Sequence, residues 1–229
     1  MIQDNLKQVL SSIQEICTRA GRDPNDVVLV GVTKFAEAPA INDAIAVGLL
    51  HIAENKVQLA EAKFPKLDLG GKLVMKHMIG HLQSNKAKDA VRIFDLIQSV
   101  DSLKLAQEIN KRAAMISKVQ DILIQVDIAQ EEQKFGLSQE ELDAFMAGVK
   151  DMKNVSVLGL MTMAPLTEDK ARIRSVFRRG KEIFEHFKSK SGPGTQLEMK
   201  YLSMGMSGDY EIALEEGANM VRIGSAIFK

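Results

Sequence analysis

Short apolar runs alternate with longer segments of helical period along most of this chain. Leu6, Val9, Leu10, Ile13, Ile16 and Ala20, with Cys17 among them, recur at the three- and four-residue spacing of one helix face, which predicts an amphipathic N-terminal helix. Apolar runs then predict strands near residues 27–34, 49–54, 76–80, 94–99, 120–128, 156–163, 201–205 and 220–224. The segments between them carry helix patterns. "SLKLAQEINKRAAMI" sets Leu103, Ala106, Ile109 and Ala113 on one side, and "SQEELDAFMAGVKDM" opens with Ser138 as N-cap and Glu141 three residues later. Gly48 and Gly217 stand where helix ends need a left-handed residue. "KSKSGPGTQ" at 188–196 reads as a surface loop before the seventh strand.

Strands that alternate with helices imply right-handed crossovers and a parallel sheet covered by helices. Eight of them fit an α/β chain closed as a single (β/α)8 TIM barrel with an extra N-terminal helix, one domain over residues 1–229. The alternative, an open doubly wound sheet, would place a G-x-G-x-x-G loop after its first strand, and none is there.

Composition narrows the function classes. Thirty basic and thirty acidic side chains cancel, which argues against nucleic acid as a partner. "RIRSVFRRGKE" at 172–182 reads as one solvated and one apolar helix face. The first residues lack the apolar core of a signal peptide and no later run reaches bilayer length, so a cytoplasmic protein with no membrane partner is expected. The single cysteine, Cys17, agrees and is expected to be inert.

In a barrel, chemistry sits at the carboxyl ends of the strands. Those ends deliver Lys34, then Glu54 and Asn55, "HMIGHLQSNK", "SVDS", "VDIAQEEQK", "LMTM", "SMGMSGD" and "VRIGSAIF". Gly205, Ser207 and Gly208 after the seventh strand, with Gly224 and Ser225 after the eighth, form the glycine and hydroxyl pattern of a phosphate cradle. Burial of a lysine disfavours its ammonium, so Lys34 is expected to be an amine able to form a Schiff base with a sugar phosphate or with pyridoxal phosphate. Arg222 alternates with Val221 and Ile223 and so is expected to point into the barrel, where a pyridine nitrogen could meet it.

"VGVTK", "AENKVQ", "HMIGHLQSNK", "SVDS", "LIQVDIA", "KFGLS", "LGLMTM", "LSMGMSGD" and "VRIGSAIF" together resemble the pyridoxal phosphate homeostasis protein family, one-domain relatives of the alanine racemase barrel. The resemblance implies a type III pyridoxal phosphate fold with pyridoxal 5'-phosphate held by Lys34 as a Schiff base. It also implies Asn55 near the ring, Ser207, Gly224 and Ser225 on the phosphate, and Arg222 at the pyridine nitrogen. Thr33 stands where serine is common, Ala53 where the family has the glycine of "GEN", and Lys56 at a position often aromatic.

The function implied is vitamin B6 homeostasis and amino-acid balance, with a monomer that holds the cofactor without clear turnover and passes it to pyridoxal phosphate-dependent apo-enzymes. The alternative is an amino-acid racemase. A two-base racemase needs a second proton carrier, which alanine racemase takes from a separate domain that this chain has no length to encode. A cofactor-free aldolase using Lys34 is disfavoured by Arg222 and the long motifs.

The remaining ionisable residues read as structural. Tyr201 is expected to pack, and Tyr210 to be exposed or packed on a helix. His77 and His81 share a strand face by period two, with no third ligand to make a metal site. Glu54, Asp101 and Asp127 are expected to pair with Lys34, Lys86 or Arg222.

Overall fold

A computed structural model describes residues 1–129, 135–191 and 197–229. Eight parallel strands close into a barrel in sequence order: β1 (Val28–Val32), β2 (His51–Glu54), β3 (Met75–Met78), β4 (Leu96–Val100), β5 (Gln120–Gln125), β6 (Val155–Met161), β7 (Leu197–Ser203) and β8 (Met220–Ile223). The helices are α1 (Ile2–Arg19), α2 (Ala38–Ala46), α3 (Val57–Lys63), α4 (Ala87–Ile93), α5 (Leu103–Ala114), α6 (Gln139–Val149), α7 (Lys170–Lys188), α8 (Tyr210–Glu215) and α9 (Ser225–Phe228). The expected barrel with an extra N-terminal helix is the fold observed.

Side chains alternate across each strand, and this separates two cores. Leu29, Val221 and Ile223 join the large layer between barrel and helices, whereas Val30, Ala53, Leu96, Leu123, Met161 and Met220 fill the barrel interior. β8 closes onto β1 with Val30 opposite Arg222, so the alternation of β8 puts Arg222 inside with Met220. Gly159 sits where the β6 ladder shifts register, at φ +147, and a Cβ there would overlap the carbonyl of Tyr201. Only glycine accepts that backbone and that approach together.

Helix ends follow their sequence signals. Ser138 and Glu141 form the reciprocal capping box of α6, Ser102 caps α5 by accepting from Leu105 N–H, and Gly48 and Gly217 adopt φ +108 and +96. α1 buries Leu6, Val9, Ile13, Ile16 and Cys17. Burial also holds the Cys17 thiol above its ordinary pKa, in keeping with an inert cysteine. Arg22, just past α1, donates to the carbonyls of Leu214 at 2.6 Å and Ala218 at 2.8 Å, tying the end of α8 to the N-terminal segment.

β7 begins at Leu197, four residues before the expected start at 201. Its first half exposes Glu198 and Lys200 at the amino end of the barrel, so no apolar run marks it. Of the loop expected at 188–196, Lys188 closes α7 and residues 192–196 lie outside the described residues. Part of "VDIAQEEQK" also falls outside them, at 130–134.

Candidate functional site

A cavity of about 700 Å³ opens at the carboxyl ends of the strands, and Lys34, Asn55, Ser207, Arg222, Gly224 and Ser225 all line it. Their convergence follows from topology. Lys34 leaves β1 two positions past the inward-facing Val32, Asn55 follows β2, and the other four come from the ends of β7 and β8, the neighbours that close the barrel beside β1.

Lys34 is exposed at the mouth, with its ammonium 5.1 Å from the centre of the Phe35 ring. The expectation of an enclosed lysine is corrected here, because the barrel is open above it. Arg222 is the buried cation, 3% exposed, and burial brings its guanidinium down to about 10. Its Nη1 donates to Ser203 Oγ at 2.7 Å and its Nη2 to the Thr162 carbonyl at 3.0 Å. Both acceptors are neutral. Among the described residues, no aspartate or glutamate lines the cavity.

The turns after β7 and β8 are built around glycine. Gly205 has φ +94, and a Cβ on it would press on Ala213 and Tyr210. Gly224 passes so close to β1 that a Cβ would lie 3.3 Å from the Val32 carbonyl. The Gly224 N–H reaches Ser207 Oγ at 3.4 Å. Among the described residues, the backbone N–H groups of Ser207, Gly208 and Ser225 have no protein acceptor. Three unpaired donors from residues lining one cavity, with two hydroxyls beside them, suit an anion.

After β2, the Asn55 Oδ1 atom is buried without a hydrogen-bond partner. Gly80 presses on the Asn55 backbone, and a Cβ on Gly80 would overlap the Asn55 carbonyl oxygen. His81 also lines the cavity. It stacks on Phe135 with ring centres 3.7 Å apart, and its Nδ1 lies 3.0 Å from Asp101 Oδ2. Asp101 therefore pairs with His81 and not with a cavity cation.

Glu54 likewise departs from expectation. Ala53 faces the interior, so Glu54 points outward, where Lys63 of α3 meets its Oε1 at 2.6 Å and Thr33 Oγ1 donates to the same oxygen at 2.7 Å. Asp127 has its backbone N–H on the Leu137 carbonyl. Ala53 is fully buried in the inner cluster, and Lys56 is an exposed N-cap of α3.

β3 ends at Met78, which separates the two histidines. His77 lies inside the barrel, bonded to His51 and Gln98, while His81 stands at the mouth. Tyr201 packs in the inner cluster, and Tyr210 donates from its hydroxyl to Ser12 Oγ at 2.9 Å, so both tyrosines are structural as expected. Ser203 and Thr162, the residues that hold Arg222, carry no motif of their own in the sequence. The one sequence signal is that the serine of "YLSM" closes a strand at its carboxyl end.

The alanine racemase N-terminal domain family model matches residues 25–229. The chain is 39% identical over 226 residues to the pyridoxal phosphate homeostasis protein of Aquifex aeolicus, covering 98% of this chain and 96% of the relative. Its counterpart in Pseudomonas aeruginosa is 35% identical over 227 residues, covering 99% of this chain and 94% of that one. Among solved structures, PipY of Synechococcus elongatus with PLP bound superposes with a TM-score of 0.87 at 32% identity, covering 100% of both chains.

Proposed function

The chain belongs to the pyridoxal phosphate homeostasis protein family, built on the alanine racemase N-terminal domain, and we propose that it binds pyridoxal 5'-phosphate in the barrel-mouth cavity as a cofactor carrier. The observation that carries this reading is the cavity's electrostatic character. It joins Lys34, the buried Arg222 and three unpaired N–H donors, with no lining carboxylate among the described residues. A buried cation on neutral acceptors is costly. A phosphorylated, anionic ligand offsets that cost.

The residues fit the cofactor part by part. Ser207, Gly224 and Ser225 would bind the phosphate through hydroxyls and backbone N–H groups. Asn55 would flank the ring, giving its unpartnered oxygen a role. When bound, pyridoxal phosphate supplies an aldehyde that condenses with amines and a ring that withdraws electrons from neighbouring bonds. Lys34 Nζ would hold that aldehyde covalently. Arg222, which offers only N–H donors, would donate to the ring nitrogen and cannot give up a proton to it readily, so the ring stays a modest electron sink.

This arrangement suits holding and release of a reactive cofactor, and with it vitamin B6 and amino-acid balance. The carrier would be a cytoplasmic monomer of one domain that passes its cofactor to pyridoxal phosphate-dependent apo-enzymes. Among the described residues, no helix is long and apolar enough to cross a membrane. Titration of pyridoxal phosphate into the protein is expected to produce an absorbance band distinct from that of the free cofactor. A spectrum equal to the sum of its components would refute the assignment.

A racemase reading has one observation in its favour. His81, held by Asp101, shares the cavity with Lys34 and would serve as a second proton carrier. Exchange of α-deuterium into a panel of amino acids, absent in a Lys34→Ala control and reduced by His81→Gln, would establish it. No exchange above that control supports the carrier.

A further inference from the structure

We propose that Ser203, Gln98 and His77 are positioning residues for Arg222, joined to His51 in a one-way hydrogen-bond relay that crosses the barrel interior and fixes how the guanidinium faces the cavity. The proposal rests on the reading of that cavity as a pyridoxal phosphate site.

Barrel interiors are ordinarily filled by layers of branched apolar side chains. Here a polar column interrupts them. Arg222 Nη1 meets Ser203 Oγ at 2.7 Å, Ser203 Oγ meets Gln98 Oε1 at 2.7 Å, Gln98 Nε2 meets His77 Nδ1 at 2.9 Å, and His77 Nε2 meets His51 Nδ1 at 3.0 Å. Ser203, Gln98, His77 and Arg222 are all buried. These residues come from β7, β4, β3 and β8, so no local turn brings them together.

The arginine dictates every proton in the column. A guanidinium has only hydrogens to give, so Ser203 Oγ must accept from it, and the single serine hydrogen is then free for Gln98 Oε1. That fixes the amide: its nitrogen faces His77 Nδ1 and also reaches Met220 Sδ at 3.3 Å. An amide nitrogen cannot accept, so His77 Nδ1 is bare and the ring carries its proton on Nε2, which donates to His51 Nδ1. A flipped amide would leave the Ser203 hydroxyl hydrogen without an acceptor along the column. The direction set by the arginine leaves no hydrogen of the column unpaired.

Two anchors then define the plane of the guanidinium, the Ser203 hydroxyl on Nη1 and the Thr162 carbonyl on Nη2. Its remaining N–H groups are left for the cavity it lines. Without Ser203 the plane is free to turn about the Thr162 contact. Gln98 and His77 act one step further back by holding the serine rotor.

Two measurements test this. In the ligand-free protein, 15N chemical shifts of the imidazoles, assigned with His77→Gln, are expected to show His77 protonated on Nε2 and bare on Nδ1. The opposite tautomer overturns the relay whatever the cavity binds. With pyridoxal phosphate, Ser203→Ala is expected to weaken binding by roughly tenfold and to move the absorbance band of the bound cofactor, as loss of a hydrogen bond to a charged group would. Ser203→Thr, which keeps the hydroxyl, is expected to restore both. In an Arg222→Lys background the same Ser203→Ala change is expected to have under about a twofold effect, because its target is gone. Unchanged binding and band in Ser203→Ala, alongside weakened binding in Arg222→Lys, overturn the positioning role but leave the cofactor site standing. Unchanged binding in Arg222→Lys overturns the placement of Arg222 at the ligand, and the proposal with it.

Discussion

Lys63 Nζ lies 2.6 Å from Glu54 Oε1 and 2.7 Å from the Thr33 carbonyl, so a cation from α3 neutralises the carboxylate that immediately precedes Asn55. Glu54 is fully buried and its second oxygen has no hydrogen-bond partner. The pair thus stands on the outer face of β2, where the strand meets α3.

Removing only one member of this pair strands a buried charge. Lys63→Met is expected to cost about 3–5 kcal/mol in urea unfolding. The Lys63→Met, Glu54→Gln double variant is expected to recover more than half of that. Equal losses in the single and double variants would show that the carboxylate is not the source of the cost.

Gly80 holds Asn55 in place by contact. A Cβ there would overlap the Asn55 carbonyl oxygen and come within 2.9 Å of its Cα. Gly80→Ala is expected to lose about 1–3 kcal/mol of stability through the forced backbone shift. It should also weaken pyridoxal phosphate binding, since both residues line the cavity. Wild-type affinity in that variant would separate Asn55 from the ligand.

Burial takes the His77 imidazole from 6.5 down to about 3, with the neighbouring His51 adding a smaller push in the same direction. Between those values the unfolded chain binds a proton that the folded chain refuses. Stability attributable to His77 is therefore complete above about pH 6.5 and is lost as pH falls toward 3, by up to about 1.4 kcal/mol per pH unit. Urea unfolding at pH 7 and at pH 5 is expected to show a smaller drop for His77→Gln than for the parent protein. Parallel drops would mean that His77 takes up its proton without unfolding.

Much of this architecture is legible in the chain. Alternation of apolar runs with helical stripes gives the barrel, and Val221-Arg222-Ile223 sets the arginine on the face opposite its two apolar neighbours, which pack under the helices. Lys34, Asn55, Ser207, Gly224 and Ser225 are readable because each sits at a strand's carboxyl end. The relay is not. Every residue of β4 is buried, so Gln98 within "LIQSV" carries no sign of which face it takes, and its meeting with His77 and Ser203 depends on the register of separate strands. The pairings of Glu54 and Asp101 are not legible either, for a related reason. A carboxylate at a strand end has several cations within reach in sequence, and only the outward turn of Glu54 and the loop position of His81 select Lys63 and His81 as partners.

Lys34 is the residue proposed to carry the cofactor. Borohydride reduction of the protein loaded with pyridoxal phosphate, followed by peptide mapping by mass spectrometry, reads the attachment site directly. One stable adduct is expected on the peptide containing Lys34, and its loss in Lys34→Ala. An undiminished adduct in Lys34→Ala, or its appearance on another lysine of the intact protein, would contradict it.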